Sequence, residues 1–121
     1  MIKHFSDLEV YRLSYKNAMN IFKLTRNFPK EEIYSLTSQM IRSSRSIPAN
    51  ISEGWAKRKH ENLFKKHLLD AIGSCDETKT WLNFACDCSY IDKEIFDEAH
   101  KNYESIGAKL FKLHEQWRTY S

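Results

Sequence analysis

The sequence predicts an all-α fold in which four helices form an antiparallel, up-down-up-down bundle within a single domain, residues 1–121. Its apolar residues recur at steps of three and four, which is the spacing of buried helix faces. Glycine and proline are scarce, with three and two copies, which argues against an all-β sandwich or a long linker. The segments between the predicted helices are short, and short joins connect antiparallel neighbours.

Helices 1 and 2 are predicted from capping signals at their ends. Ser6 and Glu9 have the spacing of a capping box, which opens helix 1 at roughly residues 7–26. Pro29 suits the first position of helix 2, because a proline there loses no helical hydrogen bond. Helix 2 is then expected to end near Ala56.

Helix 2 carries an apolar stripe and an internal proline. Pro48 removes one helical hydrogen bond and crowds the carbonyl of Ser44, so we expect a kink near residues 44–48. The stripe keeps its phase across this position, which indicates that the helix bends without ending. Its members are Ile33, Leu36, Met40, Ser44, Ile47 and Ile51.

Helices 3 and 4 are expected at roughly residues 61–89 and 93–118, with Asp92 as the N-cap of helix 4. Each helix has an apolar stripe that a bundle would bury. The stripe of helix 3 is Phe64, Leu68, Ala71, Cys75, Thr78, Leu82 and Ala85. The stripe of helix 4 is Ala99, Tyr103, Ile106, Leu110, Leu113 and Trp117.

The sequence also bears on where the protein is located and on whether it is an enzyme. No run of about 18 apolar residues occurs, so no membrane span is predicted. The first residues form no apolar signal segment, and we expect a cytoplasmic protein. The three cysteines, Cys75, Cys86 and Cys88, are expected to be reduced core thiols. No motif for a metal, a cofactor or a catalytic site is found, so an enzyme is not predicted.

The net charge of +3 is unevenly distributed along the chain. Residues 1–59 hold eleven Lys and Arg against five Asp and Glu, whereas residues 60–121 hold eight against eleven. This asymmetry indicates either an anionic partner or attraction between the two halves inside the fold.

Nine basic residues in two groups are candidates for binding nucleic acid. Each phosphate contact releases counterions, so an oligomer that repeats such a surface would bind nucleic acid more tightly than a single chain. The alternative is a solvated surface, since carboxylates four residues away neutralise part of the second group. Those pairs are Glu61–Lys65 and Lys66–Asp70. The first group is Arg12, Lys16, Lys23 and Lys30, and the second is Lys57, Arg58, Lys59, Lys65 and Lys66.

Helix 1 has more apolar surface than a four-helix core needs. Beside the stripe through Tyr11, Tyr15 and Phe22, a second apolar row lies on another side of the helix. Extra apolar surface of this kind is typical of an oligomer interface, although a wider core would also bury it. The candidate interface residues are Val10, Leu13, Ile21 and Leu24.

Six polar residues are predicted to form a structural network that fixes the register between helices 2 and 3. Buried charges need partners, and residues eight apart on one helix lie about two turns from each other. Partners on helix 3 are therefore expected. The alternatives are an anion-binding site or a catalytic site. The six residues are Arg42, Arg45, Asn50, Glu53, Ser74 and Glu77.

Motifs along nearly the whole chain carry a family resemblance. The most specific is Ser46-Ile-Pro-Ala-Asn-Ile-Ser-Glu-Gly54. The others are Phe5-Ser-Asp-Leu-Glu-Val-Tyr11, Phe28-Pro29 with Glu32 and Tyr34, Gln39 ahead of Arg42, and Ala71-Ile-Gly-Ser74 with Glu77. With these motifs the sequence resembles the 23S ribosomal RNA intervening-sequence proteins, or four-helix-bundle protein family. Relatives of that family include the accessory variability determinants of diversity-generating retroelements.

The resemblance implies a left-handed bundle that assembles as a homopentamer, with a basic surface in some members. It also implies no accepted enzymatic activity, while the retroelement relatives are thought to bind nucleic acid and a reverse transcriptase. Together with the basic groups, it predicts a non-enzymatic homo-oligomer that binds RNA or DNA. The alternative is a scaffold whose partner is a polypeptide.

Overall fold

The computed structural model describes residues 1–120, and these residues contain four α-helices and no strand. The helices are α1 (Glu9–Thr25), α2 (Leu36–Ala56), α3 (Glu61–Asp87) and α4 (Lys93–Gln116). Short 3₁₀ turns, Phe5–Asp7 and Lys30–Glu32, precede α1 and α2. The prediction of an all-helical chain with four helices is confirmed. Ser121, the last residue of the predicted domain, lies outside the described residues.

Apolar residues from all four helices share one core. α2 packs against α1 and α3, α3 packs against α4, and the contact between α1 and α4 is smaller. All seven residues of the predicted α3 stripe are buried. On α4, the predicted residues Tyr103, Ile106 and Leu110 are buried, and the other three are half-buried. None of the described helices is long and apolar enough to cross a membrane.

The beginning of α1 differs from the predicted capping box. The helix begins at Glu9, and no side chain caps its first turn. Instead, the Asp7 carboxylate accepts hydrogen bonds from the backbone N–H groups of Lys3, at 3.0 Å, and His4, at 3.1 Å. These bonds favour the ionised carboxylate and lower the pKa of Asp7. A 3₁₀ turn closed by Asp7 therefore replaces the box predicted at Ser6 and Glu9.

α2 begins at Leu36, and not at Pro29 as predicted. The Glu32 side chain accepts a hydrogen bond from the Leu36 N–H, at 3.3 Å, and another from the Tyr90 hydroxyl, at 2.7 Å. The bond to Glu32 raises the pKa of Tyr90 to about 12. This distant contact holds a 3₁₀ turn where the sequence predicted helix, and it leaves Ile33 half-exposed instead of in the core.

The join between α3 and α4 is defined by a helix end and a helix cap. Ser89 has φ 64°, and the N–H groups of Ser89 and Tyr90 bond back to carbonyls in the last turn of α3. This arrangement is a Schellman motif, which ends α3 at Asp87. The Asp92 carboxylate then accepts the Ile95 N–H at 2.8 Å, so the predicted N-cap of α4 is confirmed.

The three cysteines have different environments. Cys75 is buried, and its thiol lies 3.1 Å from the carbonyl oxygen of Tyr103. Cys86 is half-buried and Cys88 is exposed. The expectation of core thiols is therefore correct for Cys75 and wrong for Cys88.

We expect iodoacetamide to alkylate Cys88 in the folded protein and to leave Cys75 unmodified until denaturant is added. Burial raises the pKa of Cys75 to about 11, and the thiolate is the reactive form. Peptide mapping by mass spectrometry, with and without urea, measures both rates. Equal rates for the two cysteines without urea would contradict the burial of Cys75.

Candidate nucleic-acid interface

Exposed basic and amide side chains form a row along α1, which we call the α1 basic stripe. Arg12, Lys16, Asn20 and Lys23 follow at steps of four, four and three, so they share one face of the helix. At about 1.5 Å per residue, the row is roughly 16 Å long. Arg26, three residues further, extends this exposed row and was missed by the sequence analysis, although its spacing from Lys23 signals it.

The lysines of the stripe have no carboxylate partners. Among residues 1–120, no Asp or Glu oxygen lies within 4.0 Å of Lys16 or Lys23. The same holds for Lys30, which is exposed in the 3₁₀ turn after α1. Arg12 donates to a backbone carbonyl at 2.9 Å. The charge of these lysines is therefore available to an external anion.

The second predicted group lies at the join between α2 and α3, and much of it is engaged within the chain. Lys57 Nζ lies 3.6 Å from the Glu53 carboxylate and 3.0 Å from His67 Nε2. The Arg58 guanidinium stacks on Trp55, 4.3 Å from the ring centroid, which is a cation–π contact.

Of the three remaining lysines at the join, two pair with carboxylates of the described residues and one does not. Lys65 and Lys66 make the predicted pairs with Glu61, at 3.5 Å, and Asp70, at 3.2 Å. Exposed pairs contribute only about 0–1 kcal/mol to stability, but their carboxylates compete with phosphate for the same ammonium. Within residues 1–120, Lys59 is the member of this group with neither a carboxylate nor an aromatic contact.

The first turn of α1 and the join between α2 and α3 both contact the C-terminal part of the chain. The segment after α4 contacts the join between α2 and α3, because the Thr119 hydroxyl donates a hydrogen bond to the Arg58 carbonyl at 2.6 Å. The first turn of α1 is linked to α4 by the ion pair Glu9–Lys109, at 2.8 Å. The α1 basic stripe therefore begins near the end of the molecule that holds the join and runs away from it toward Lys23.

Part of the predicted polar network lies on the surface between α2 and α3. Arg42 Nη2 lies 2.5 Å from the Glu77 carboxylate and 2.8 Å from the Gln39 amide oxygen. The indole N–H of Trp81 donates to the same Glu77 oxygen at 3.1 Å. The Arg42 side chain is 61% exposed, so this contact between α2 and the expected partner Glu77 lies on the surface.

A second polar chain connects the same helices closer to the core. The Ser74 hydroxyl donates to the Ser46 hydroxyl at 3.0 Å, and Asn50 Nδ2 donates to the Ser46 carbonyl at 2.9 Å. Asn50 Oδ1 faces His67 Nδ1 at 3.1 Å, and Nε2 of that ring lies 3.5 Å from Glu53. Because the amide oxygen accepts, the hydrogen-bond network assigns the ring hydrogen to Nδ1. Nε2 is then the ring atom that faces the Lys57 ammonium.

The structure corrects the membership of this network. Arg45 does not take part, because its guanidinium lies over Phe22 of α1, 5.5 Å from the ring centroid. Sequence reasoning missed Ser46 and His67, which join Ser74, Asn50 and Glu53. Among residues 1–120, no group of three or more His, Cys, Asp or Glu side chains is placed to hold a metal ion.

The predicted oligomer interface on α1 is wrong for Val10 and Ile21. Val10 is 5% exposed and Ile21 is 1% exposed, within a single chain. Leu13 and Leu24 are half-buried and pack against the same core. The core is wider than one stripe per helix, so this row faces α2 and α4 and not a second chain. The apolar residues that α1 exposes are instead Tyr15, at 54%, and Met19, at 41%.

A model of the 23S rRNA-intervening sequence protein family matches residues 6–112, which include α1, α2, α3 and most of α4. The chain belongs to this family. The resemblance inferred from the sequence motifs is therefore confirmed. A search of curated proteins gives no significant match.

A solved structure has a similar fold. It is the crystal structure of a protein with unknown function from the S23 ribosomal protein family, from Bacteroides thetaiotaomicron. It is 25% identical to this chain, with a TM-score of 0.81 over 88% of this chain and 96% of the other.

In this member of the 23S rRNA-intervening sequence protein family, three residues of the most specific motif lie where α2 contacts α3. Ser46 and Asn50 make hydrogen bonds between the two helices. Gly54 permits their close approach, since a Cβ there would lie 2.7 Å from His67 Cβ. The small and polar residues of the motif thus have a structural role, and the stripe of free cations lies on another helix.

Proposed function

We propose that this protein is a non-enzymatic, cytoplasmic accessory that binds RNA or DNA through the α1 basic stripe. The observation that carries the proposal is the pairing pattern of the cations. Lys16 and Lys23 are exposed without carboxylate partners among residues 1–120, whereas Lys57, Lys65 and Lys66 have them. Unpaired lysines at intervals of about one helical turn suit a chain of phosphates, and each phosphate contact releases counterions.

The proposed scaffold for this stripe is a left-handed antiparallel bundle with α2 kinked near Pro48. Three α2–α3 contacts support the antiparallel arrangement, because residue numbers rise along one helix as they fall along the other. These contacts are Arg42–Glu77, Ser46–Ser74 and Asn50–His67. The kink is supported by the position of Pro48 inside α2, where it removes a backbone donor.

We further propose a homo-oligomer, with the pentamer that the family resemblance implies. Its supporting observation is the apolar surface that one chain leaves exposed beside α1 and α2. Tyr15 and Met19 line a groove with Pro48 and Ala49 there, and Arg45 adds a charge. An oligomer would repeat the α1 basic stripe, so that one nucleic acid contacts several copies.

Fluorescence anisotropy with labelled RNA and DNA tests the proposal. Three phosphate contacts predict a loss of affinity of about 20- to 40-fold between about 50 and 200 mM salt. Lys16→Glu combined with Lys23→Glu should weaken binding at least about tenfold at about 50 mM salt. Lys93→Glu combined with Lys101→Glu is the matched control, because it changes the net charge equally on α4 and should leave affinity unchanged.

Two outcomes would contradict this function. Absence of binding at the lower salt would make the stripe an ordinary solvated surface. Equal losses in the two double variants would show a response to net charge and not to the stripe. The exposed Tyr15 and Met19 would then favour the second candidate, a scaffold whose partner is a polypeptide.

A further inference from the structure

A groove between α1 and α4 lies beside the α1 basic stripe. It encloses about 330 Å³, near the lower end of the roughly 300–1,000 Å³ range of small-molecule sites. Its walls combine three amides, Asn17, Asn20 and Asn102, with apolar side chains that include Leu24 and Ile95. This combination suits a flat ligand with apolar faces and a polar edge.

Tyr103 lines this groove and carries a buried hydroxyl without a partner in the described part of the chain. Tyr103 is 1% exposed, and its hydroxyl has no hydrogen-bond partner among residues 1–120. A buried polar group in that state costs free energy until a ligand or a water supplies the missing bond. Burial also raises the pKa of Tyr103, so the group stays a neutral O–H donor at physiological pH. The residues that line the groove therefore include one whose O–H lacks a hydrogen-bond acceptor within the described chain.

The three amides keep most of their hydrogen-bonding capacity. Asn17 donates to the Leu13 carbonyl at 2.9 Å, and this bond leaves its amide oxygen as an acceptor. The side chains of Asn20 and Asn102 make no hydrogen bond within residues 1–120. An amide offers both a donor and an acceptor, which is the pattern that the edge of a nucleobase also presents.

Lys23 connects this groove to the α1 basic stripe. It lines the groove and is also the stripe's cation nearest to it. A phosphate held by its ammonium would place the attached nucleotide at the mouth of the groove. On the opposite helix, Glu98 repels a phosphate but can accept a hydrogen bond from the amino group of a base.

We propose that the groove between α1 and α4 receives an unpaired nucleobase from a nucleic acid whose backbone lies on the α1 basic stripe. This inference rests on the proposed function and names its substrate class, single-stranded or locally unpaired nucleic acid. A base inside a duplex cannot enter the groove, because its polar edge is paired and its faces are stacked. The Asn20 and Asn102 amides contact the edge of the base, and Leu24 and Ile95 contact its faces.

The test compares a labelled single-stranded RNA with the duplex of the same sequence, at about 50 mM salt. Single strands should bind about tenfold more tightly. Tyr103→Phe and, separately, Asn102→Leu should lower single-strand affinity about five- to tenfold and leave duplex affinity unchanged. Tyr34→Phe is the matched control, since it removes an exposed hydroxyl outside the groove. The Asn102 side-chain amide signals in an NMR spectrum should shift when the single strand is added.

The outcomes separate this inference from the function on which it rests. Equal binding of single strands and duplex, unaffected by Tyr103→Phe and Asn102→Leu but weakened by the stripe variant, overturns the base site and leaves the stripe intact. In that case a water satisfies the Tyr103 hydroxyl. Absence of binding by every probe overturns both proposals. The thermal stability of Tyr103→Phe is the folding check, because removing an unpartnered hydroxyl should not lower the melting temperature.

Discussion

Replacing Ile21 with glutamate should unfold the protein or leave it barely stable. Ile21 is 1% exposed in the core between α1 and its neighbours. The change removes a buried aliphatic side chain and places a carboxylate there without a partner, which together cost about 4 kcal/mol or more. That is a large part of the ~5–15 kcal/mol that stabilises a typical domain. Circular dichroism during thermal and urea denaturation measures the loss.

Met19→Glu is the matched control, two residues away on the same helix. Met19 is 41% exposed, so a carboxylate there stays in water, and the free energy of unfolding should change by no more than about 0.5 kcal/mol. A folded Ile21→Glu variant with an unchanged melting temperature would mean that Ile21 lies on an external surface. In a homo-oligomer built on the Tyr15 and Met19 surface, Met19→Glu should also lower the native mass without unfolding the chain.

The contrast between α3 and α1 shows which parts of the fold the sequence predicts. On α3, the apolar residues from Phe64 to Ala85 follow one stripe, so burial could be assigned from spacing, and all seven are buried. On α1, apolar residues occur on two sides, and spacing does not say which side faces the neighbouring helices. The structure buries Val10 and Ile21 of the second row and exposes Tyr15 of the first, but it also buries Ala18 of the first, so both rows contribute to the core.

Helix ends were predictable where the capping residue is local. Asp92 and the N–H that it accepts are three residues apart, and that cap was predicted correctly. The start of α2 depends on Glu32, which is held by the hydroxyl of Tyr90 on the α3–α4 join. A partner 58 residues away leaves no signature in the local sequence.

In the candidate site, too, contacts between residues close in sequence were easier to predict than contacts between distant ones. Charges and their spacing along one helix are visible in the sequence, and the pairs Glu61–Lys65 and Lys66–Asp70 form as the spacing suggested. Contacts between helices are only partly visible there. Glu77 was expected to contact α2 and does, whereas the role of His67 was missed. The groove with Tyr103 was missed for a similar reason, because it depends on how closely α1 and α4 approach.

Replacing Gly54 with alanine should destabilise the protein, although alanine is the better helix former. A Cβ at this position would lie 2.7 Å from His67 Cβ and 3.1 Å from Phe64 Cδ1. The His67 Cβ is fixed to the backbone of α3, so relief requires the two helices to separate. Overpacking of this kind costs about 1–3 kcal/mol, whereas the gain in helix propensity is about 1 kcal/mol. We expect a net loss of roughly 1 kcal/mol.

Gly73→Ala measures the gain in helix propensity without the cost of overpacking, because a Cβ at Gly73 meets no atom within 4 Å. Gly73 is exposed on α3, so the same substitution there should raise the free energy of unfolding by about 0.5–1 kcal/mol. Urea denaturation of both variants measures the difference, which should be roughly 2 kcal/mol. If Gly54→Ala is stabilised as much as Gly73→Ala, then α2 and α3 can move apart freely. The hydrogen bond between Asn50 and His67 would then not fix their separation.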